Sequence, residues 1–207
     1  MPLTHGAVEM FTLPDPNALL DDLTQEEFDR NDGKMPYWAT PWPSALALAD
    51  VVLGDPRGLA GRRVLDLGCG LGLVGMAALA RGARVTFLDW EADAVALAVA
   101  SAWAAGFGSV EGVVADWRSP PPMAVFDRVL GADVLYEARN GPAVARFLAG
   151  HVGPEGEAWV ADPGRLHAER FPDDLGAAGL GLVERRALPP AAEARTLTLW
   201  RSARRPA

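Results

Sequence analysis

The chain has 207 residues, of which 50% are hydrophobic and 22% charged, and its formal net charge is −8. This size predicts one domain with its own core, and the apolar content excludes a disordered chain. The acidic balance argues against a protein that coats nucleic acid, although Arg201, Arg204 and Arg205 form a local basic patch.

The first 62 residues show no regular alternation of strands and helices. Residues 17–32 predict one or two short acidic helices. Residues 37–43 contain one Tyr, two Trp and two Pro, a composition too rigid and aromatic for a linker, so we expect this segment to pack against other residues. A helix is predicted over 44–53, and Gly54, Asp55 and Pro56 end it.

From residue 63 onward, strand and helix patterns alternate. Strands are predicted at 64–67, 84–88, 110–115, 126–132, 157–161, 182–187 and 196–200, and helices at 73–81, 91–105, 142–152 and 167–178. The last two strands have no helix between them, which predicts an antiparallel hairpin. The expected fold is therefore α/β, with a Rossmann-like seven-stranded, mostly parallel sheet, an antiparallel edge hairpin and helices on both faces.

The strongest local motif is Asp-Leu-Gly-Cys-Gly-Leu-Gly at 66–72, between the first strand and its helix. Ligands of open α/β sheets bind at the carboxyl ends of the strands, and glycines there allow a close backbone approach. A tight turn without a ligand is the alternative. Gly70, Gly72 and Gly75 also satisfy the spacing of the dinucleotide fingerprint, so the glycines alone do not exclude NAD.

Acidic residues follow the second and third strands. Asp89 can accept hydrogen bonds from both hydroxyls of a ribose, or serve only as a charge at the start of the next helix. Asp116 can accept a hydrogen bond from an adenine amino group, and the indole of Trp117 can cover the ring. The alternative for Asp116 is a residue that begins a turn.

The fourth strand is followed by Asp133, Tyr136 and Glu137, which places polar groups at the same edge. Asp133 can orient an amine or accept its proton, and Tyr136 can line a narrow apolar channel. A helix cap and a surface phenol are the alternatives.

Together, residues 66–72, Asp89, Asp116 with Trp117, and the Asp-x-x-Tyr pattern at 133–136 resemble a class I S-adenosylmethionine-dependent methyltransferase. More narrowly they resemble methyltransferase family sixteen, the seven-strand lysine methyltransferases also described as nicotinamide N-methyltransferase-like. The Pro-Trp-Pro-Ser-Ala segment at 41–45 matches the upstream segment of that group. The resemblance covers about residues 37–200. Asp66 is a mild departure, because the family often has Glu there.

The resemblance implies a role for each matched residue. Asp133 and Tyr136 would be the catalytic residues that face the substrate nitrogen. The cofactor-binding residues would be Trp42, Gly68, Cys69, Gly70, Gly72, Asp89, Asp116, Trp117 and Ala132. The chain would form a single domain, with 1–42 as an N-terminal extension packed on the cofactor edge and 43–207 as the Rossmann-like core.

The implied function is N-methylation with S-adenosylmethionine as cofactor, foremost of a protein lysine. A small-molecule N-methyltransferase acting on a nicotinamide-like amine and a non-catalytic cofactor-binding module are the alternatives, and a dehydrogenase is a more distant one. Residues 162–165 are similar to the branch that methylates the β subunit of electron-transfer flavoprotein, whereas Asp116 with Trp117 is similar to other branches.

Partners and location follow from the same features. We expect a protein acceptor, such as a ribosomal protein or an electron-transfer flavoprotein subunit, no direct binding to nucleic acid or membrane, and a monomer. No metal site is expected, because the chain has one cysteine, Cys69, and no His-x-His spacing. The start of the chain shows no signal-peptide pattern, and the uncharged run 94–110 is too short for a membrane span, so we expect a cytoplasmic protein.

Overall fold

A computed structural model describes residues 1–16, 18–21, 24, 26, 36–188 and 197–204. The helices expected over 17–32 therefore lie mostly outside the described residues, within which Ala18–Asp21 is helical (α1). The chain begins with a small antiparallel pair, β1 (Pro2–Leu3) and β2 (Gly6–Ala7), which the sequence analysis did not predict.

The central sheet of the described residues has seven strands, as expected. They are β3 (Arg63–Leu67), β4 (Arg84–Asp89), β5 (Val110–Val114), β6 (Phe126–Ala132), β7 (Val152–Asp162), β8 (Leu180–Leu188) and β9 (Leu197–Arg204). Their order is β5-β4-β3-β6-β7-β9-β8. The first five are parallel, and β9 runs antiparallel to both β7 and β8. The α/β fold with an antiparallel edge pair is confirmed.

Helices cover both faces of this sheet. They are α2 (Pro43–Gly54), α3 (Leu73–Ala80), α4 (Ala92–Ala104), α5 (Asn140–His151) and α6 (Phe171–Ala177). Because side chains alternate along a strand, Val64 packs in a core with α2, α3 and α4, whereas Leu65 packs in a second core with α5 and α6. The sheet is therefore buried on both faces, as a parallel sheet requires.

Two of the predicted elements differ most from the observed ones. The helix expected over 167–178 is divided into a 3-10 turn, Ala168–Arg170, and α6, because Pro172 has no N–H and fits only the first turn of a helix. The strand expected over 157–161 is longer, since β7 begins directly after α5. None of the helices in the described ranges is long and apolar enough to cross a membrane.

The first residues pack on two helices. The backbone N–H of His5 donates to Asp50 Oδ1 of α2 at 2.8 Å, and that of Phe11 donates to Ser101 Oγ of α4 at 2.9 Å. Val8 is buried in the core that contains α2. The N-terminal extension, 1–42, was predicted to lie on the cofactor edge. Within it, residues 1–11 pack against α2 and α4.

Two arginines of the predicted basic patch interact with other residues of the protein. Arg204 donates to the carbonyl oxygens of Ala149 at 2.8 Å and Val152 at 2.9 Å, and Arg201 pairs with Glu157 and Glu184. Arg205 lies outside the described residues.

Candidate active site

The carboxyl ends of β3, β4 and β6 open into a cleft of about 740 Å³, counted with the solvent at its mouth. It lies where β3 has β4 on one side and β6 on the other, the switch point at which open α/β sheets bind ligands. The lining includes the predicted residues Trp42, Gly68, Cys69, Gly70, Asp89, Trp117, Ala132, Asp133 and Tyr136.

The glycine loop after β3 exposes its backbone, without side chains, to the cleft. Gly70 has φ +49°, and a Cβ there would lie 2.9 Å from the carbonyl oxygen of Trp38. A Cβ at Gly68, where φ is +63°, would lie 3.1 Å from both Trp117 and Val134. A side chain at either position would therefore fill the cleft or push its walls apart.

Gly72 does not line the cleft. It has φ +82° at the start of α3, and a Cβ there would lie 2.6 Å from that of Ala98 on α4. The structure therefore gives Gly72 a packing role, and its predicted contact with the cofactor stays a prediction.

Two buried carboxylates accept backbone hydrogen bonds from this loop and from the residues that follow it. Asp89 Oδ2 accepts the N–H of Gly70 at 2.9 Å, and its Oδ1 accepts the N–H of Glu91 at 3.1 Å. Asp66 Oδ2 accepts the N–H of Gly75 at 2.8 Å. Burial, together with the charge of Asp89, raises the pKa of Asp66 to about 8.

Cys69 lies in the same loop and is buried. Burial first, and then the negative charges of Asp89 and Asp66, raise the pKa of its thiol well above the usual value. A thiol that stays protonated is a poor nucleophile, so Cys69 is poorly suited to nucleophilic catalysis.

Aromatic rings form the walls of the cleft. The rings of Tyr37 and Trp42 meet edge to face with centroids 5.9 Å apart, and Trp42 Nε1 donates to the carbonyl oxygen of Tyr37 at 2.9 Å. Trp117 lies under Gly68, and Trp90 completes the wall. All of residues 37–42 except Ala39 thus line the cleft.

Asp116 lies outside the cleft lining, in a smaller adjoining recess of about 270 Å³. Its Oδ2 accepts hydrogen bonds from Arg118 Nε at 2.8 Å and Nη2 at 2.6 Å, and its Oδ1 accepts the backbone N–H of Arg118 at 2.9 Å. The carboxylate therefore stabilises a turn, which is the alternative role considered for Asp116 in the sequence analysis. Trp117 and Tyr136 line both the recess and the cleft.

Asp133 stands at the end of β6 with φ +56°, an uncommon conformation for a residue other than glycine. Its N–H donates to the carbonyl oxygen of Ala161 at 2.8 Å. Both carboxylate oxygens accept from Arg165, Oδ1 from Nε at 2.9 Å and Oδ2 from Nη2 at 2.8 Å. Strained backbone at a cleft is typical of functional sites.

Tyr136 is a neutral phenol at physiological pH. Burial, together with the charge of Glu137, raises its pKa to about 12. It is thus suited to line a channel or donate a hydrogen bond, and it is a poor base.

The structure adds site residues that the sequence analysis did not select. Arg165 pairs with Asp133, Asp66 holds the first turn of α3 through Gly75, and Trp38 and Trp90 line the cleft. The only sequence signal for Arg165 was the similarity of residues 162–165 to one branch of the family. Among the described residues no group of three or more His, Cys, Asp or Glu could hold a metal ion.

Comparison with known proteins adds independent evidence. A family model described as a methyltransferase domain matches residues 64–156, from β3 into β7. A lysine methyltransferase of the electron transfer flavoprotein beta subunit from Danio rerio is 31% identical over 137 residues, which is 65% of this chain and 52% of the relative. Residues 64–156 thus match a methyltransferase domain, and the chain is similar to class I S-adenosylmethionine-dependent methyltransferases. The matched range contains the glycine loop, Asp89 and Asp133.

A second relative is named for a different residue type. The histidine protein methyltransferase 1 homolog of Dictyostelium discoideum is 23% identical over 126 residues, 58% of this chain and 41% of the relative. The chain thus spans about half or less of the length of these two curated relatives.

A solved structure supports the fold. The magnesium protoporphyrin IX methyltransferase of Synechocystis PCC 6803, solved with S-adenosylmethionine bound, superposes with a TM-score of 0.66 at 19% identity. The match covers 94% of this chain and 100% of that one. At this identity the likeness shows the fold.

The cleft fits S-adenosylmethionine, the cofactor of class I methyltransferases. The glycine floor leaves the space that a side chain would fill, and the aromatic walls suit a planar base. Four described lining residues are acidic, namely Asp66, Asp89, Glu91 and Asp133. An acidic lining suits a ligand that carries a sulfonium and an ammonium group.

Proposed function

We propose that this chain is a protein-lysine N-methyltransferase. The observation that carries the proposal is the placement of Asp133 and Tyr136 at the same cleft as the glycine loop and Asp89. In the proposal, this carboxylate and this phenol face the acceptor nitrogen where it meets a cofactor held by the loop. The Danio rerio relative, named for its action on a protein lysine, supports the choice of acceptor.

The proposal divides the cleft into a cofactor part and an acceptor part. Gly68, Cys69 and Gly70 pass under the methionine part of the cofactor, and Asp89 accepts hydrogen bonds from its ribose. Trp117 covers the adenine and Trp42 closes the cleft from above. The division is supported by the bare backbone of the loop and by the position of Asp89 at the end of β4.

The chemistry needs little covalent help from the protein. Bound S-adenosylmethionine supplies a methyl carbon on positive sulfur; the acceptor's lone pair forms the C–N bond, and the C–S electron pair returns to sulfur. The lysine ammonium releases one proton to water before the attack, and the methylated nitrogen then carries the positive charge. The residues of the chain orient the acceptor and exclude water, which together account for most of the rate in such displacements.

A protein acceptor is favoured by the surroundings of the cleft. Tyr37 is 43% exposed at the cleft, and Leu166 is 85% exposed directly after Arg165. Within the proposal, these two exposed side chains contact the docked acceptor protein. The net charge of −8 favours a basic protein over a nucleic acid, and within this proposal the enzyme acts as a monomer.

Histidine is a second candidate acceptor, because the Dictyostelium discoideum relative is named for protein histidine methylation. Histidine has an unperturbed pKa near 6.5, so it is largely neutral at physiological pH, whereas lysine, with a pKa near 10.4, must lose a proton before transfer. The dependence of the rate on pH thus separates the two acceptors.

The test is transfer of radiolabelled methyl groups from S-adenosylmethionine to the purified electron-transfer flavoprotein β subunit and, in parallel, to a cell lysate. Mass spectrometry then identifies the modified residue. Methyl-lysine in a protein would support the proposal, and methyl-histidine would select the second candidate. Label found only in small molecules would contradict both. The Asp89→Ala variant, which we expect to lose cofactor affinity, is the negative control.

A further inference from the structure

Arg165 and Asp133 form a bidentate ion pair at the acceptor side of the cleft. The two N–H···O distances are 2.9 and 2.8 Å, and the Asp133 side chain is only 5% exposed while that of Arg165 is 39% exposed. The Arg165 guanidinium also lies over the ring of Trp42, 6.0 Å from its centroid. The arginine thus connects the residue after β6 with the aromatic segment before α2.

The loop that carries Arg165 is held in place by Asp162. This carboxylate is 1% exposed, and its Oδ1 accepts the backbone N–H of Gly164 at 2.8 Å and of Arg165 at 2.7 Å. Gly164 has φ +85°, which turns the chain back toward Asp133. Two hydrogen bonds to a buried carboxylate fix the loop. The position of the Arg165 backbone relative to Asp133 is therefore fixed by the fold.

The pair bears on a difficulty in the chemistry of lysine methylation. The acceptor must be a neutral amine, but a lone carboxylate beside it favours the charged ammonium and raises its pKa. A guanidinium within hydrogen-bond distance of that carboxylate offsets its charge. Asp133 keeps free lone-pair directions after binding Arg165, since a carboxylate offers about four.

Other titratable groups face the pair. Asp162 of β7 and Tyr37 of the aromatic segment both act on the charge of Arg165, and Tyr136 lines the cleft beside Asp133. Burial raises the pKa of Asp162 to about 6, so it is ionised throughout the alkaline range. Tyr136 stays neutral in that range, because its pKa is about 12.

We propose that Arg165 is a positioning residue that holds Asp133 and balances its charge, so that the acceptor amine binds at Asp133 in its neutral, nucleophilic form. The inference rests on the proposed function and extends it, since it assigns a part to a residue outside the Asp-x-x-Tyr motif. Arg165 itself does not touch the reacting atoms.

The test is the dependence of kcat on pH between 7 and 10, with the electron-transfer flavoprotein β subunit as acceptor at saturation. For Arg165→Met we expect the midpoint to move up by about one pH unit, which lowers kcat about tenfold below the midpoint and leaves the plateau near pH 10 unchanged. Arg165→Lys keeps the charge and should shift the midpoint less. KM for the acceptor should not rise.

Two controls separate charge from structure. Arg62→Met removes an arginine from an exposed pair with Asp127 at 3.6 Å and should leave the profile unchanged. Asp133→Asn combined with Arg165→Met removes both charges, so the midpoint should return to that of the wild type although the plateau is lower. Calorimetry with S-adenosylhomocysteine checks that each variant retains its cofactor site.

The outcomes are distinct. A lower kcat at every pH with an unshifted midpoint would assign Arg165 a structural role only and overturn the inference, as would an unchanged profile. Absence of transfer by the wild type at all pH values, with S-adenosylhomocysteine still bound, would overturn the proposed acceptor and the inference together.

Discussion

Carboxylates at the two ends of the sheet have opposite environments. Near the amino ends of the parallel strands, Glu157 accepts hydrogen bonds from Arg57 at 3.0 Å, Arg201 at 2.9 Å, Trp159 Nε1 at 2.8 Å, and also from Arg128. At the carboxyl ends, Asp66 is buried and accepts a hydrogen bond from the backbone N–H of Gly75. Among the described residues no cation pairs with Asp66.

The two carboxylates also differ in pKa. Burial alone would raise the pKa of Glu157, but the hydrogen bonds from Trp159, Arg201 and Arg57 outweigh it and lower the pKa to about 2. Burial raises that of Asp66 to about 8. The saturated cluster ties β6, β7 and β9 to the end of α2, whereas in the cleft burial keeps the Asp66 carboxyl protonated at neutral pH. Stability and function are thus separated along the sheet.

The largest effect is expected when the Glu157 cluster is broken. Glu157→Gln leaves three arginines without their shared carboxylate, which should cost about 3 kcal/mol of the free energy of unfolding and lower Tm by roughly 6–12 °C. The measurement is thermal unfolding at pH 7. The affinity of the folded variant for S-adenosylhomocysteine should be unchanged.

Glu169→Gln is the matched control, because Glu169 pairs with Arg185 on an exposed surface. Its loss should be roughly 0.5 kcal/mol or less. Equal losses in the two variants would contradict a special role for the Glu157 cluster.

An intermediate effect is expected at the cleft, where Asp89 and Asp133 should act on different steps. Asp89→Ala removes a carboxylate that holds the glycine loop and, in the proposal, the ribose. We expect its affinity for S-adenosylhomocysteine to fall about 30-fold, or about 2 kcal/mol. Asp133→Ala should bind nearly as the wild type does and methylate about tenfold more slowly. Similar binding losses in both variants would refute the division into cofactor and acceptor parts.

A smaller effect is expected from the pH dependence of stability at Asp66. Its pKa is raised on folding, so its contribution to stability is fully present below the unfolded value of about 3.9 and is lost as pH rises through about 8. Between pH 7 and pH 8 the loss should be about 1 kcal/mol. Asp66→Asn should flatten that part of the stability curve, measured by urea unfolding. A variant with the slope of the wild type would show that Asp66 is ionised at neutral pH.

The sequence predicted the parts of the site that depend on local pattern. The glycine loop, Asp89 and Asp133 follow parallel strands, and the carboxyl ends of such strands meet at one edge whatever the details of packing. The interaction of Asp116 with Arg118 could also be predicted from the sequence, because the two residues are only two positions apart.

The rest depends on contacts between distant parts of the chain. Arg165 is 32 residues from Asp133, and their pairing requires the turn fixed by Asp162. The Glu157 cluster joins residues separated by 29, 44 and 100 positions, which no periodicity reveals. Such ion pairs are determined by strand register and helix placement, which a single sequence does not specify.

The most direct test of the central claim, that this acidic cleft binds S-adenosylmethionine, is calorimetric titration of the purified protein with S-adenosylmethionine, S-adenosylhomocysteine and NAD. The account predicts micromolar binding of the first two and no binding of NAD. Binding of NAD alone, or of none of the three, would contradict it.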